Sequence, residues 1–184
     1  MIDPVAHWRA EHANFSQLLD IFEKQVHAFH EGGEPNYDLM TDILLYLRHF
    51  PYLHHHPREE AAFELIAKRE PNLRLTLELL RQQHRAIATV GDELLRTLND
   101  VTSGTLTLRA SVEAAAAMYL VYYRHHIQTE EEEVLPRAAK LLVAEDWRDI
   151  GAAAPHGSDP LFGSKSDAGY RELRRHIALE AESG

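Results

Sequence analysis

The chain has no cysteine among its 184 residues. That absence excludes disulfide scaffolds, cysteine-ligated zinc or iron–sulfur clusters, and cysteine nucleophiles. Any metal held here must be held by nitrogen and oxygen. A basic excess is also lacking: 19 lysines and arginines face 29 aspartates and glutamates, for a formal net charge of −10. Such a balance leaves no electrostatic footprint for nucleic acid or an anionic lipid surface. No stretch reaches the roughly 18 uninterrupted apolar residues of a membrane span, and Met1-Ile2-Asp3-Pro4-Val5-Ala6-His7 has no basic region followed by an apolar one. The expectation is a cytoplasmic protein with neither nucleic acid nor membrane as partner. Gly-x-Ser-x-Gly, the Walker loop, Gly-x-Gly-x-x-Gly and His-Glu-x-x-His are all missing, which removes the common hydrolase, nucleotide-binding and zinc-protease readings.

What the chain does have is histidine, 13 of them, in an otherwise ordinary composition of 45% apolar and 26% charged residues. The length suits one compact domain. Four long segments carry helical periodicity between short breaks, which predicts an all-α fold. The first runs from about Val5 to Glu31, with Phe15, Leu19, Phe22 and Val26 on one stripe. The second begins near Asn36 or Tyr37 and continues to Glu70-Pro71, with a kink or restart expected at Pro51 and Pro57. The third, from about Asn72 to Leu98, carries Leu73, Leu77, Leu80, His84, Ile87, Gly91, Leu94 and Leu98. The fourth follows Asn99 to Gly104 and runs from about Leu106 to Ala144, with Tyr119, Tyr122, His126, Glu130 and Val134 on one line. Long helices with short loops favour an antiparallel up-down four-helix bundle. We place the bundle at residues 1–147, and at 148–184 a C-terminal loop and short helix that pack on the bundle or on a partner. In that tail, Ala152 to Pro160 reads as a loop, Leu161 and Phe162 as an apolar plug, and Asp167 to Ala181 as a weak helix.

Residues four apart share a helix face, so a His-x-x-x-Glu pair can reach one metal or two adjacent ones. That spacing alone is common here: His7/Glu11, His27/Glu31, His30/Glu34, His56/Glu60 and His176/Glu180 all have it. Phase relative to the apolar stripe separates the candidates. His126 and Glu130 continue the line of Tyr119 and lead into Val134. His55 and Glu59 run on to Phe63 and Ile66, whereas His56 and Glu60 run toward Glu64 and Lys68 and are expected to face water. His12 aligns with Phe15 and Leu19, and His84 with Leu80 and Ile87. A lone histidine on such a stripe is usually a hydrogen-bonded core residue. Four helices each aiming one inward, two with a carboxylate one turn on, is a different matter. Burying two carboxylates without a cation would cost several kcal/mol. No glutamate has a histidine three residues after it, so the Glu-x-x-His pairs of ferritin-like bundles are absent.

At these residues the sequence resembles the hemerythrin-like family, the His-His-Glu cation-binding domain, over about residues 5 to 147. The matching stretches are Glu11-His12, His55-His56-Pro57-Arg58-Glu59-Glu60, Gln83-His84-Arg85, and His126-Ile127 through Glu130-Glu131 to Leu135-Pro136. Asp146-Trp147 and Asp159-Pro160-Leu161-Phe162-Gly163 resemble the tail of a bacterial subgroup. The resemblance implies two non-haem iron ions bridged by Glu59 and Glu130, with His12, His55, His84 and His126 as terminal ligands; zinc or another divalent metal could occupy a purified sample. The expected small ligand is O2, NO or peroxide, with an unidentified redox partner, and a homodimer is an option. Oxygen-carrying members have His-x-x-x-His on the third helix, but Ala88 stands four residues beyond His84. Reversible oxygen carriage loses weight, sensing or redox chemistry gains it, and His49 or a tyrosine becomes a candidate replacement ligand. The rival readings are a di-iron redox enzyme, reducing NO or peroxide or repairing iron centres, and a metal-free or zinc-bound helical interaction module.

Overall fold

A computed structural model describes residues 3–105, 108–154, 157–163 and 168–183, and among these every regular element is helical. The first rod is α1 (Pro4–His30). Asp3 caps it by accepting the Val5 N–H at 3.0 Å, Pro4 occupies a first-turn position where its missing N–H costs nothing, and Gly32 at φ +83° ends the run. The second rod is built of α2 (Tyr37–Phe50) and α3 (His56–Arg69) joined by a π turn at Pro51–His55, where the His56 N–H bonds the Pro51 carbonyl. The kink expected from Pro51 and Pro57 therefore takes the form of a one-residue insertion, a device common at functional sites. After a 3-10 turn at Pro71–Leu73 comes α4 (Arg74–Thr102). This helix extends beyond the expected end at Leu98, because Val101 still packs on the core and Gly104, at φ +81°, supplies the stop.

The fourth rod comprises α5 (Arg109–Thr129), a second π turn (Glu130–Val134) and α6 (Leu135–Leu141). Its expected start at Leu106 lies outside the described residues. Its end falls short of Ala144: the backbone turns extended at Leu142 and Val143, and a separate helix, α7 (Ala144–Ala153), begins there. The cause is Asp146, which accepts the Val143 N–H at 2.7 Å and is gripped by both Arg69 nitrogens at 2.6 and 2.7 Å. Ala152 and Ala153 thus belong to a helix, contrary to the loop expected for them. In the tail, Leu161 is buried in the core, Phe162 packs beside it, and Asp159 accepts the Tyr46 hydroxyl at 2.9 Å. The last helix, α8 (Arg171–Ser183), packs on α2; Asp167, where it was expected to begin, lies outside the described residues.

Two apolar clusters form the interior. One contains Val5 and Trp8 of α1, Ala62, Phe63 and Ile66 of α3, Leu77 and Leu80 of α4, and Val134, Leu135 and Ala138 beyond the second π turn. The other contains Phe15 to Phe29 of α1, most of α2, Ile87, Leu94 and Leu98 of α4, and Val112 to Ile127 of α5. Each fully buried large aliphatic or aromatic side chain contributes about 1.5–3 kcal/mol. The rods cross from one cluster to the other at residues 11–12, 55–59, 84 and 126–130. Those residues make a buried polar layer between two apolar ones.

Candidate metal centre

Each crossing delivers its histidine for a local reason. His12 follows Trp8 and precedes Phe15 on the buried stripe of α1, and His84 lies between Leu80 and Ile87 on that of α4. The π turn resets the phase of the second rod so that His55, His56 and Glu59 are all buried. On α5 the stripe passes through Tyr119, Tyr123 and His126, while Tyr122, expected on that line, is 45% exposed. The expectation slipped by one residue because either tyrosine continues an apolar run and only packing decides between them.

All six predicted residues, His12, His55, Glu59, His84, His126 and Glu130, meet in this layer, and all are buried. Two groups with converging ligand atoms result: His12, His55, Glu59 and Glu130; and His56, Glu59, His84 and His126. The Glu59 carboxylate straddles them. Its Oε1 lies 2.9 Å from His55 Nε2 and 3.4 Å from His12 Nε2, and its Oε2 lies 3.5 Å from His84 Nε2. Glu130 does the same, with Oε2 at 3.4 Å from His12 Nε2 and 3.3 Å from His126 Nε2, and Oε1 at 3.7 Å from His84 Nε2.

His56 corrects the sequence reading. Expected to face water, it is buried and stacks on His84 with ring centroids 3.9 Å apart. At about 100° of rotation per helical residue, His55, Glu59 and His56 fall within one arc of about 100° with Glu59 inside it, so a centre on that face can take all three. His56 thus brings a fifth imidazole to the place left by Ala88. His49 does not: it is exposed, and its Nδ1 bonds the Leu45 carbonyl within its own helix. Ala88, His56, His84 and Tyr119 instead border a void of about 10 Å³, the size of one water. Of the other histidines, His27, His30 and His125 are exposed, His7, His54 and His176 are half-buried, and His156 lies outside the described residues.

The partners behind the ring nitrogens were not read from the sequence. His12 Nδ1 donates to Glu131 at 2.9 Å, His55 Nδ1 to Glu11 at 2.7 Å, His84 Nδ1 to Glu60 at 2.9 Å and His126 Nδ1 to Gln83 at 3.1 Å. With these four Nδ1 protons turned outward, each Nε2 faces into the layer, which is how proteins orient imidazoles on a metal. Glu11 is itself held by the buried Arg58, whose Nη2 lies 2.7 and 2.8 Å from its two oxygens while Nε donates to the His54 carbonyl at 2.6 Å. A signal existed: Glu11 precedes His12, Glu60 follows Glu59, and Glu131 follows Glu130. Adjacent residues leave a helix about 100° apart, one inward and one alongside.

The interior is short of partners. Both oxygens of Glu59, both of Glu130, and Nε2 of His84 and of His126 are buried without an aligned hydrogen bond, and natural interiors seldom leave such atoms unpaired. His12 Nε2 and His55 Nε2 approach to 3.0 Å, the spacing of two neighbouring ligands at right angles around a cation about 2.1 Å from each nitrogen. The metal-free electrostatics reflect the same demand. Burial opposes charge on His12, but the hydrogen bond to Glu131 and the nearby carboxylates of Glu59 and Glu130 raise its pKa to about 10. His55 and His84 are raised likewise by the carboxylates around them. Burial pushes His56 well below its usual value and His126 down to about 4. Burial would raise Glu11, yet the His55 hydrogen bond and charge and the Arg58 guanidinium outweigh it and hold the carboxyl at about 2. Cations or protons must compensate Glu59 and Glu130, whose four oxygens receive no hydrogen bond.

The chain matches the family model for the hemerythrin HHE cation binding domain over residues 3–138. It belongs to that family. No curated protein matches the chain. The hemerythrin match covers all four crossings and ends inside α6, so α7 and the tail fall outside it. The hemerythrin-like domain is therefore a cation-binding helical domain whose buried His/Glu cluster can hold metal. No helix of it is long and apolar enough to cross a membrane, among the residues searched.

Proposed function

We propose that this hemerythrin-like domain is a non-haem di-iron protein on an antiparallel up-down four-helix bundle, binding or sensing O2, NO or peroxide. The order of the apolar clusters along each rod supports the topology: α1 and α4 run from the Trp8 cluster to the Phe22 cluster, and the other two rods run the opposite way. The observation that carries the function is the pair of orphaned carboxylates, each with one oxygen toward His12 and the other toward His84.

In this reading His12 and His55 would hold one cation and His56, His84 and His126 the other, with the Glu59 and Glu130 carboxylates between them available to both. A mixed imidazole and carboxylate set with no thiolate suits iron, and zinc, which the same atoms would accept, lacks the redox chemistry. Two irons bound there would supply the redox electrons for chemistry on a small ligand. The chain's own contribution is to orient the imidazoles through Glu11, Glu60, Gln83 and Glu131, and to keep bulk water out with the apolar clusters on either side. The groove lined by Tyr52, Leu53, Pro57, Glu60 and Arg85 runs over the edges of His56 and His84 and gives a small molecule a route in. Glu59→Ala and Glu130→Ala test the assignment: each should lose iron relative to the parent chain after loading with ferrous iron. Unchanged iron content in both variants would refute it.

A further inference from the structure

Asp146-Trp147 has no part in holding metal, and α7, which carries it, lies beyond the hemerythrin match. Yet the fold lays Trp147 against the outer side of the centre. Trp8 and Trp147 are the only tryptophans of the chain, and their rings meet edge-on with centroids 5.3 Å apart. Trp8, 2% exposed, meets His55 edge-on in turn at 6.4 Å. His55, Trp8 and Trp147 thus form an unbroken row of rings from the polar layer to a half-buried indole beside a recess of about 50 Å³. The Arg69 grip on Asp146, at 2.6 and 2.7 Å, fixes the start of α7 and with it the last ring of the row.

Indole is among the most readily oxidised side chains, and electron tunnelling falls off exponentially with distance, so short steps between neighbouring rings outpace one long step through aliphatic packing. The tyrosines offer no equivalent row. A phenol must shed its proton when it loses an electron, and the buried Tyr123 hydroxyl has no acceptor among the described residues. Tyr46 has one, Asp159 at 2.9 Å, but it stands behind Phe15, whose ring resists oxidation. An indole can lose its electron first and its proton later, so Trp8 needs no such partner.

We propose that Trp8 and Trp147 form an electron relay between the metal centre and a one-electron donor at the surface of α7. This rests on the di-iron reading and, within it, on peroxide as the oxidant. Reducing one peroxide to two waters takes two electrons and two protons. The electrons pass singly: Trp8 gives one up to the oxidised centre, Trp147 refills Trp8, and the donor, a small reductant such as ascorbate or a reduced flavin, refills Trp147. Solvent supplies the two protons, and any proton shed by an indole returns when its ring is reduced. With no donor present, the electron deficit stays on Trp147, whose radical combines with dissolved O2 to give an oxygenated indole.

The test adds peroxide without a donor to the oxidised, iron-loaded chain, comparing the parent with Trp8→Phe and Trp147→Phe; phenylalanine keeps a ring in each place but resists oxidation. Freeze-quenched samples are read by electron paramagnetic resonance and the digested protein by mass spectrometry. Expected in the parent are a tryptophan radical and an oxygenated Trp147, several-fold above the metal-free chain under the same peroxide, and both suppressed by ascorbate. In Trp8→Phe, with iron content equal to the parent's, oxygenation of Trp147 should fall to the metal-free level. In Trp147→Phe it should move to Trp8. Equal oxygenation of Trp147 in Trp8→Phe and parent, or in loaded and metal-free parent, would overturn the relay, since oxidants in free solution would then account for it. So would an iron-loaded parent that consumes peroxide and leaves both tryptophans intact. If Trp8→Phe loses iron, Trp147→Phe decides alone, and an unmodified Trp8 in it overturns the relay. A parent that binds no iron or consumes no peroxide would instead strike the reading on which the relay stands.

Discussion

Replacing Arg58 by methionine probes how the chain keeps His55 in place. The Arg58 side chain is 1% exposed, its Nη2 is shared between the two oxygens of Glu11, and Glu11 holds His55 Nδ1 at 2.7 Å. Methionine keeps most of the packing and removes the charge. The Glu11 carboxylate is left buried with His55 and, at 3.3 Å, His7. Removing one partner of a buried charge pair costs about 3–5 kcal/mol. For a chain of this size each kcal/mol moves the unfolding midpoint by about 2–4 °C, so Arg58→Met should lower it by roughly 6–20 °C. The double variant with Glu11→Gln should recover part of that loss, because no uncompensated charge remains. Glu11 is held at about 2 against an ordinary 4.5. A depressed carboxyl contributes stability in full above its unfolded value and loses it as pH falls toward the folded one. The deficit of Arg58→Met should thus be largest at pH 6–7 and shrink below pH 4.5. Thermal unfolding of the metal-free chain followed by circular dichroism is the assay. A fall worth less than about 1 kcal/mol, or a double variant no better than Arg58→Met, would refute the reasoning.

Iron affinity should rise with pH and loading should release protons: metal-free His12 is held protonated up to about 10, with His55 and His84 raised as well, and each must give up its Nε2 proton to a cation. Calorimetry in two buffers of different ionisation enthalpy at pH 7 should show net release, and none would contradict the protonation assigned. His56→Ala should leave that release nearly unchanged, since His56 is already neutral, while weakening one iron more than the other; equal retention of both irons would remove His56 from the cage. Gly157→Ala should lower the unfolding midpoint by a few degrees, because a Cβ there would run into the His54 ring and overpacking costs about 1–3 kcal/mol. An unchanged midpoint would mean that the His54 ring swings clear of the added methyl.

The helical class and the positions of the four crossings were legible because apolar spacing records burial, and the crossings interrupt that record with histidine. The π turns were not legible. Pro51, Pro57 and Pro136 announce disturbed hydrogen bonding, but a kink, a restart and a one-residue insertion look alike in sequence. The same insertion hid His56, since a strict stripe through His55, Glu59 and Phe63 leaves the next residue outside. Tyr122 and Tyr123 are chemically interchangeable as text, and packing against Phe15 and Tyr119 picks the second. The roles of the charges around the centre, Glu11, Arg58, Glu60 and Glu131, were not legible. Their role depends on reaching across between helices, as from Glu131 on the fourth rod to His12 on α1, and no local pattern encodes that. The end of the fourth rod was misplaced for a similar reason: the Arg69 grip on Asp146 joins residues 77 apart.

The central claim is that this buried layer holds two irons. The most direct measurement is the iron content per chain of protein purified at neutral pH, without chelator or a nickel column, and reloaded anaerobically with ferrous iron. About two irons per chain, retained through gel filtration, is the predicted result. A folded chain that retains none would contradict the account and leave Glu59 and Glu130 to be neutralised by protons alone.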